Sequence, residues 1–139
     1  MNTVNKIEQG RAEEAFRCVQ NFVRTDGKKK EYKSYSKKIP MLIKTNGLAA
    51  TFAFMNTKKP DDPYIQIGKD IVFWLQTLNP GLKTKMDNAG NNTKLNPFLQ
   101  VLLSASSEEY KYFTAETLSF MNWHRRFTEG MIKDNHGTE

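Results

Sequence analysis

The chain has 139 residues, 38% of them hydrophobic, including nine Phe, five Tyr and two Trp, which is enough for one domain with one real apolar core. No stretch reaches the ~20 apolar residues of a membrane span, and the opening residues lack the apolar run of a secretory signal. One cysteine and two distant histidines leave no internal disulfide and too few ligands for a structural zinc. With a formal charge of +6 and a pI near 9.4, the expectation is a cytoplasmic protein without cofactor or metal, whose first partner is nucleic acid.

Val4 to Val23 reads as an amphipathic helix, because Val4, Ile7, Ala12, Ala15, Phe16, Val19, Phe22 and Val23 recur at three- and four-residue steps. Arg11, Glu14, Arg17 and Arg24 fall on other faces. Thr25, Asp26 and Gly27 form a stop, with Gly27 able to take a left-handed conformation. Cys18 lies beside the apolar stripe and reads as a buried, unreactive thiol.

The stretch from Lys28 to Lys59 holds nine lysines against one acid, Glu31, so the excess positive charge of the chain is concentrated there. Within it, Lys30 to Thr45 predicts a second helix that Pro40 either divides or kinks. Asn46-Gly47 breaks the chain, and Leu48 to Asn56 resumes as a short helix. Its small residues Ala49, Ala50 and Ala53 mark it as the most buried element. Asp62 before Pro63 is a cap and first-turn pair, opening a helix over Tyr64 to Leu78 with Ile67, Ile71, Trp74, Leu75 and Leu78 on one face. Asn79-Pro80-Gly81 closes it.

Residues 82–95, rich in Asn, Gly, Thr and Lys, lack periodicity and are expected to be a mobile loop. Asn96-Pro97 starts a helix through Ser104. Ser106 and Glu109 form an S-x-x-E capping box ahead of a last helix from Ser107 to about Ile132. Its inner stripe is Tyr110, Phe113, Thr117, Phe120, Met121, His124, Phe127 and Met131. Residues 134–139 are a polar tail expected to be disordered. No strand pattern is found. The fold class is therefore all-α, a single domain over residues 1–139 with five to six helices.

Two basic features could carry function. In the lysine-rich segment Tyr32 and Tyr35 are interleaved with the lysines, so phosphates could be held as point charges and bases by stacking. The bland alternative is a solvated face with both tyrosines in the core. In the last helix, Arg125 and Arg126 point about 100° apart. Glu129 can pair with one of them, leaving the other for phosphate or a partner. His124 lies on the apolar stripe and reads as a hydrogen-bonded core histidine. Trp123 lies off that stripe, suited equally to an interface or to a second buried face. No P-loop, G-x-S-x-G or H-E-x-x-H motif is present, so the chain reads as a non-enzyme.

Three segments carry a family resemblance. Tyr35, Ile39-Pro40, Leu42-Ile43, Asn46-Gly47-Leu48 and Ala53-Phe54 make the first. Tyr110 to Glu116 followed by Leu118-Ser119-Phe120, Asn122-Trp123, Arg125-Arg126-Phe127 and Glu129-Gly130 make the second. Glu8 to Ala12 with Ala15 makes the third. Taken in chain order, they resemble the small α-helical subunit of the type III-B CRISPR Cmr complex. The likeness lapses at 82–95, and His124 stands where that family more often has an apolar residue.

The resemblance implies a non-catalytic antiviral-defence subunit that stacks head to tail into a minor filament. That filament runs beside the major filament holding the guide RNA. Cleavage of target RNA would belong to the major-filament subunits. DNA cleavage and cyclic-oligoadenylate synthesis would belong to the large subunit. Implied partners are the major-filament backbone subunit, the large subunit, further copies of the chain, and the guide RNA–target RNA pair. Carried over by position, the RNA-binding role falls to Lys37, Lys38 and Lys44 beside Pro40 and to Arg125 and Arg126; Lys33 joins them from the basic cluster alone, with no matching pattern in the family. The competing readings are a helical adaptor bridging proteins without RNA contact, and a small basic ribonuclease using His124.

Overall fold

A computed structural model describes residues 3–25, 27–89 and 95–133. Asp26 of the expected stop, residues 90–94 in the second half of the expected loop, and the 134–139 tail lie outside them. The described residues form seven helices and no strand: α1 (Thr3–Thr25), α2 (Lys29–Asn46), α3 (Leu48–Met55), α4 (Pro63–Leu78), α5 (Pro80–Asn88), α6 (Leu95–Ser104) and α7 (Ser107–Met131).

The sequence predicts five to six helices; the additional one is α5, which occupies the first half of the segment expected to be a loop. Pro80 opens it, and Leu82 and Met86, four residues apart, are both buried. Two anchors on one face are enough to dock a short helix. The polar residues between and after them hid that period in the sequence.

Other boundaries follow local chemistry. The Asp62 carboxylate accepts from the Tyr64 amide at 2.9 Å, with Pro63 in the first turn of α4. The Ser106–Glu109 capping box is complete in both directions. Gly47 takes φ +94° between α2 and α3 and is the one positive-φ glycine among the described residues. Gly27 is therefore not left-handed. Helix α2 runs on through Pro40, so the sequence's alternative of two separate helices is excluded. The ring costs one backbone hydrogen bond and does not end the helix.

Helix α4 is the hub and packs against all six other helices. It buries Tyr64, Ile67, Gly68, Ile71, Val72, Trp74 and Leu75, each large apolar side chain contributing roughly 1.5–3 kcal/mol. This corrects the expectation for α3, which leaves Ala50, Ala53 and Phe54 exposed. A close approach falls at Gly68, where a Cβ would stand 2.9 Å from a Leu95 methyl.

One charged network lies inside. The Arg11 guanidinium donates to both Glu116 oxygens (Nε 2.7 Å, Nη2 2.9 Å), and Trp74 Nε1 donates to Glu116 at 2.7 Å. Glu116 is 8% exposed and Arg11 14%, so α1, α4 and α7 meet at one desolvated ion pair. The bond to Glu116 raises the Arg11 pKa above its ordinary value.

Candidate nucleic-acid interface

Helix α2 buries Tyr32, Ser36, Ile39 and Ile43 on one face. Steps of four, three and four residues then align Lys33, Lys37, Pro40 and Lys44 along one flank of that face. Tyr35 and Lys38 fall on the opposite flank. The two flanks meet different neighbours.

The first flank runs along α7, antiparallel to it. Lys33 Nζ donates to the Ile132 carbonyl at the end of α7 (2.9 Å), and the Ala49 amide just beyond α2 donates to the Tyr110 hydroxyl near the start of α7 (2.9 Å). Midway, the imidazole of His124 lies between α2 side chains, Nε2 2.8 Å from the Tyr32 hydroxyl and Nδ1 2.7 Å from the Ser36 hydroxyl. Tyr32 also stacks on Phe22 of α1, ring centroids 3.8 Å apart. His124 is fully buried, and burial pulls its pKa down to about 3. It is therefore a neutral ring, one nitrogen donating and the other accepting, with neither free to meet a substrate.

Above this buried seam the two helices leave a groove of about 310 Å³ lined by Pro40, Lys44, Leu118, Ser119, Asn122 and Arg125. Lys44 and Lys37 are exposed. Arg125 donates to Glu129 at 3.2 Å, an exposed pair of small worth that a phosphate can displace. The basic flank from Lys33 to Lys44 spans about 16 Å of helix.

The sequence-predicted residues thus divide. Lys33, Lys37, Lys44 and Arg125 share the α2–α7 side. Lys38 stands across α2 from them, its Nζ 5.8 Å from the Tyr35 ring centroid. Arg126 lies over the Trp123 ring at 5.7 Å, and Trp123 Nε1 donates to Glu8, so Arg126 leans toward α1. Of the two tyrosines, Tyr32 is core and Tyr35 is partly exposed.

Gln66 and Asp70, passed over by the sequence reading, belong to a second cleft of about 420 Å³ between α1 and α4, also lined by Glu14, Arg17 and Cys18. Gln66 donates to Asp70 Oδ1 at 2.9 Å, while Oδ2 is sealed from solvent without a partner. Burial raises the Asp70 pKa to about 7. Burial, followed by the nearby Asp70 and Glu14 charges, pushes the Cys18 thiol well above its ordinary range, in keeping with an unreactive thiol. Among the described residues no group of three His, Cys, Asp or Glu is placed to hold a metal, and no helix is long and apolar enough to cross a membrane.

Comparison with known proteins agrees with the helical reading. The family model for the CRISPR-associated protein Cas_Cmr5 matches residues 7–131. A crystal structure of a CRISPR-associated Cmr5 family protein from Thermus thermophilus has a similar fold, with a TM-score of 0.72 at 22% sequence identity, covering 96% of this chain and 100% of that one.

Proposed function

The chain belongs to the Cmr5 family of CRISPR-associated proteins, a small subunit of the type III-B Cmr complex, and from that premise we propose that it grips the sugar–phosphate backbone of target RNA without reading sequence. Membership implies assembly with other Cmr subunits. In this proposal the chain is a non-catalytic part of cytoplasmic antiviral defence. It stacks on further copies of itself, beside the major-filament and large subunits.

The observation that carries the RNA reading is the α2–α7 groove. Lys44 and Arg125 line it from opposite helices, and Lys37 continues the basic flank. Ammonium groups bind phosphate as point charges and leave sequence to base pairing. His124, the residue on which a ribonuclease reading depended, is sealed in the seam beneath.

The test uses the assembled complex and single-stranded RNAs of unrelated sequence at two salt concentrations. Sequence-blind binding is expected to weaken with salt and to weaken further in Lys37→Glu/Lys44→Glu/Arg125→Glu, with a salt slope shallower by about 2. Unchanged RNA binding in that variant, with another Cmr subunit lost from the complex, would instead favour a protein-bridging adaptor.

A further inference from the structure

The opposite flank of α2 carries a second surface that the groove does not use. Tyr35 and Tyr64 stack with ring centroids 3.8 Å apart and planes 5° from parallel. Phe54 of α3 meets Tyr64 edge-on at 5.2 Å and stays 40% exposed. Each end of this three-ring platform carries an ammonium. Lys38 Nζ lies 5.8 Å from the Tyr35 ring centroid, and Lys58 Nζ lies 4.5 Å from that of Phe54 and 5.7 Å from that of Tyr64.

The platform is fixed from below. Tyr64 is 5% exposed and sits at the capped start of α4. The nearby acids are engaged elsewhere, since Asp62 caps the Tyr64 amide and Asp61 pairs with Lys28 at 3.0 Å. What faces outward, between the two cations, is Phe54 and the open part of Tyr35, with Tyr64 beneath them. A cation over an exposed ring is held by only ~0.5–1 kcal/mol, so either ammonium can swing to a phosphate and leave the ring to another flat group.

We propose that the Tyr35–Phe54–Tyr64 corner is a stacking site for an unpaired nucleobase of single-stranded RNA, with Lys38 and Lys58 on the phosphates flanking that base. The inference rests on the RNA-binding reading above and adds a site to it. An acidic protein surface would need the cations and would gain little from the open rings, whereas a nucleotide uses both. Stacking tolerates any base, so the corner adds hold without adding sequence preference. Lys37 and Lys38 are both exposed and about 100° apart around α2, which joins the groove to the corner by a continuous basic path.

The experiment loads the assembled complex with target RNA carrying 5-iodouridine at successive positions, irradiates it, and maps the linked residues by mass spectrometry. The expected result is linkage to Phe54 or Tyr35, reduced at least fivefold in Phe54→Leu, which keeps an apolar side chain of similar bulk but no π-face. No linkage at the corner, with salt-sensitive RNA binding that Lys37→Glu/Lys44→Glu/Arg125→Glu weakens, would overturn the stacking site and leave the groove reading standing. So would a corner yield that Phe54→Leu does not change. No linkage at the corner, together with RNA binding that Lys37→Glu/Lys44→Glu/Arg125→Glu leaves unchanged, would overturn both readings. A carbodiimide cross-link from Lys58 to a carboxylate of another subunit would assign the corner to a protein contact and also overturn the proposal.

Discussion

The same two helices build a buried seam and an open groove, and the two differ in what holds them. In the seam, His124, Tyr32 and Ser36 are locked at hydrogen-bond distance in the dry interior. In the groove, Lys37, Lys44 and Arg125 stand in or near water, held to nothing stronger than an exposed ion pair. Polar groups in the first place determine whether the helices stay together. Charged groups in the second leave that untouched and are available to a ligand.

The comparison breaks most visibly at His124. His124→Ala removes a buried ring and strands two hydroxyls, so the unfolding free energy from urea titration is expected to fall by roughly 3–5 kcal/mol. RNA binding by the fraction that stays folded should change little.

Acid titration sharpens the contrast. A histidine with folded pKa near 3 favours folding above its ordinary value of about 6.5, and that stability is lost as pH falls toward 3. Asp70 runs the other way. Its folded pKa near 7 exceeds the ordinary carboxylate value, so its contribution is present at acid pH and lost as pH rises through 7. From about pH 4 to 6.5 the two slopes oppose each other, each at most about 1.4 kcal/mol per pH unit. Wild-type stability is expected to be nearly flat across that window. Asp70→Asn should expose the histidine slope, costing in total roughly 2–3 kcal/mol between pH 6.5 and 4. A flat curve in the variant would show that the seam does not titrate as described.

On the groove side, Lys44→Glu with Arg125→Glu should move unfolding by no more than about 0.5 kcal/mol while weakening RNA binding about tenfold or more at low salt. The smallest effect belongs to Lys33→Ala. It removes the bond to the Ile132 carbonyl and should cost about 0.5–1 kcal/mol, read as faster amide exchange in the last turn of α7.

Much of this architecture was legible beforehand because it is local. The Asp62-Pro63 start and the Ser106–Glu109 box are determined by neighbours in the chain, and both formed as the spacing requires. The α5 helix was not legible, since its docking depends on only two side chains, Leu82 and Met86, in a polar run. Nor was the Arg11–Glu116 pair. A signal for it existed, because Arg11 continues the Ile7–Ala15 spacing of α1 and Glu116 the Phe113–Phe120 spacing of α7. Opposite charges interrupting two apolar stripes are candidates to find each other. The candidate site was legible as composition but not as geometry. Periodicity gives the register of Lys37 against Lys38, yet says nothing about which neighbour covers which flank of α2. Adjacent lysines therefore looked like one cluster and turned out to face two different surfaces.

The antiparallel attachment of α2 to α7 has a mechanical corollary. Tied near both ends by Lys33 to the Ile132 carbonyl and by the Tyr110 hydroxyl to the Ala49 amide, and pinned midway at His124, the pair behaves as a track of constant gauge. These ties resist both spreading for a bulky guest and sliding to follow one. Any polymer laid along it must do the bending itself, so the entropy of fitting is lost on the guest's side.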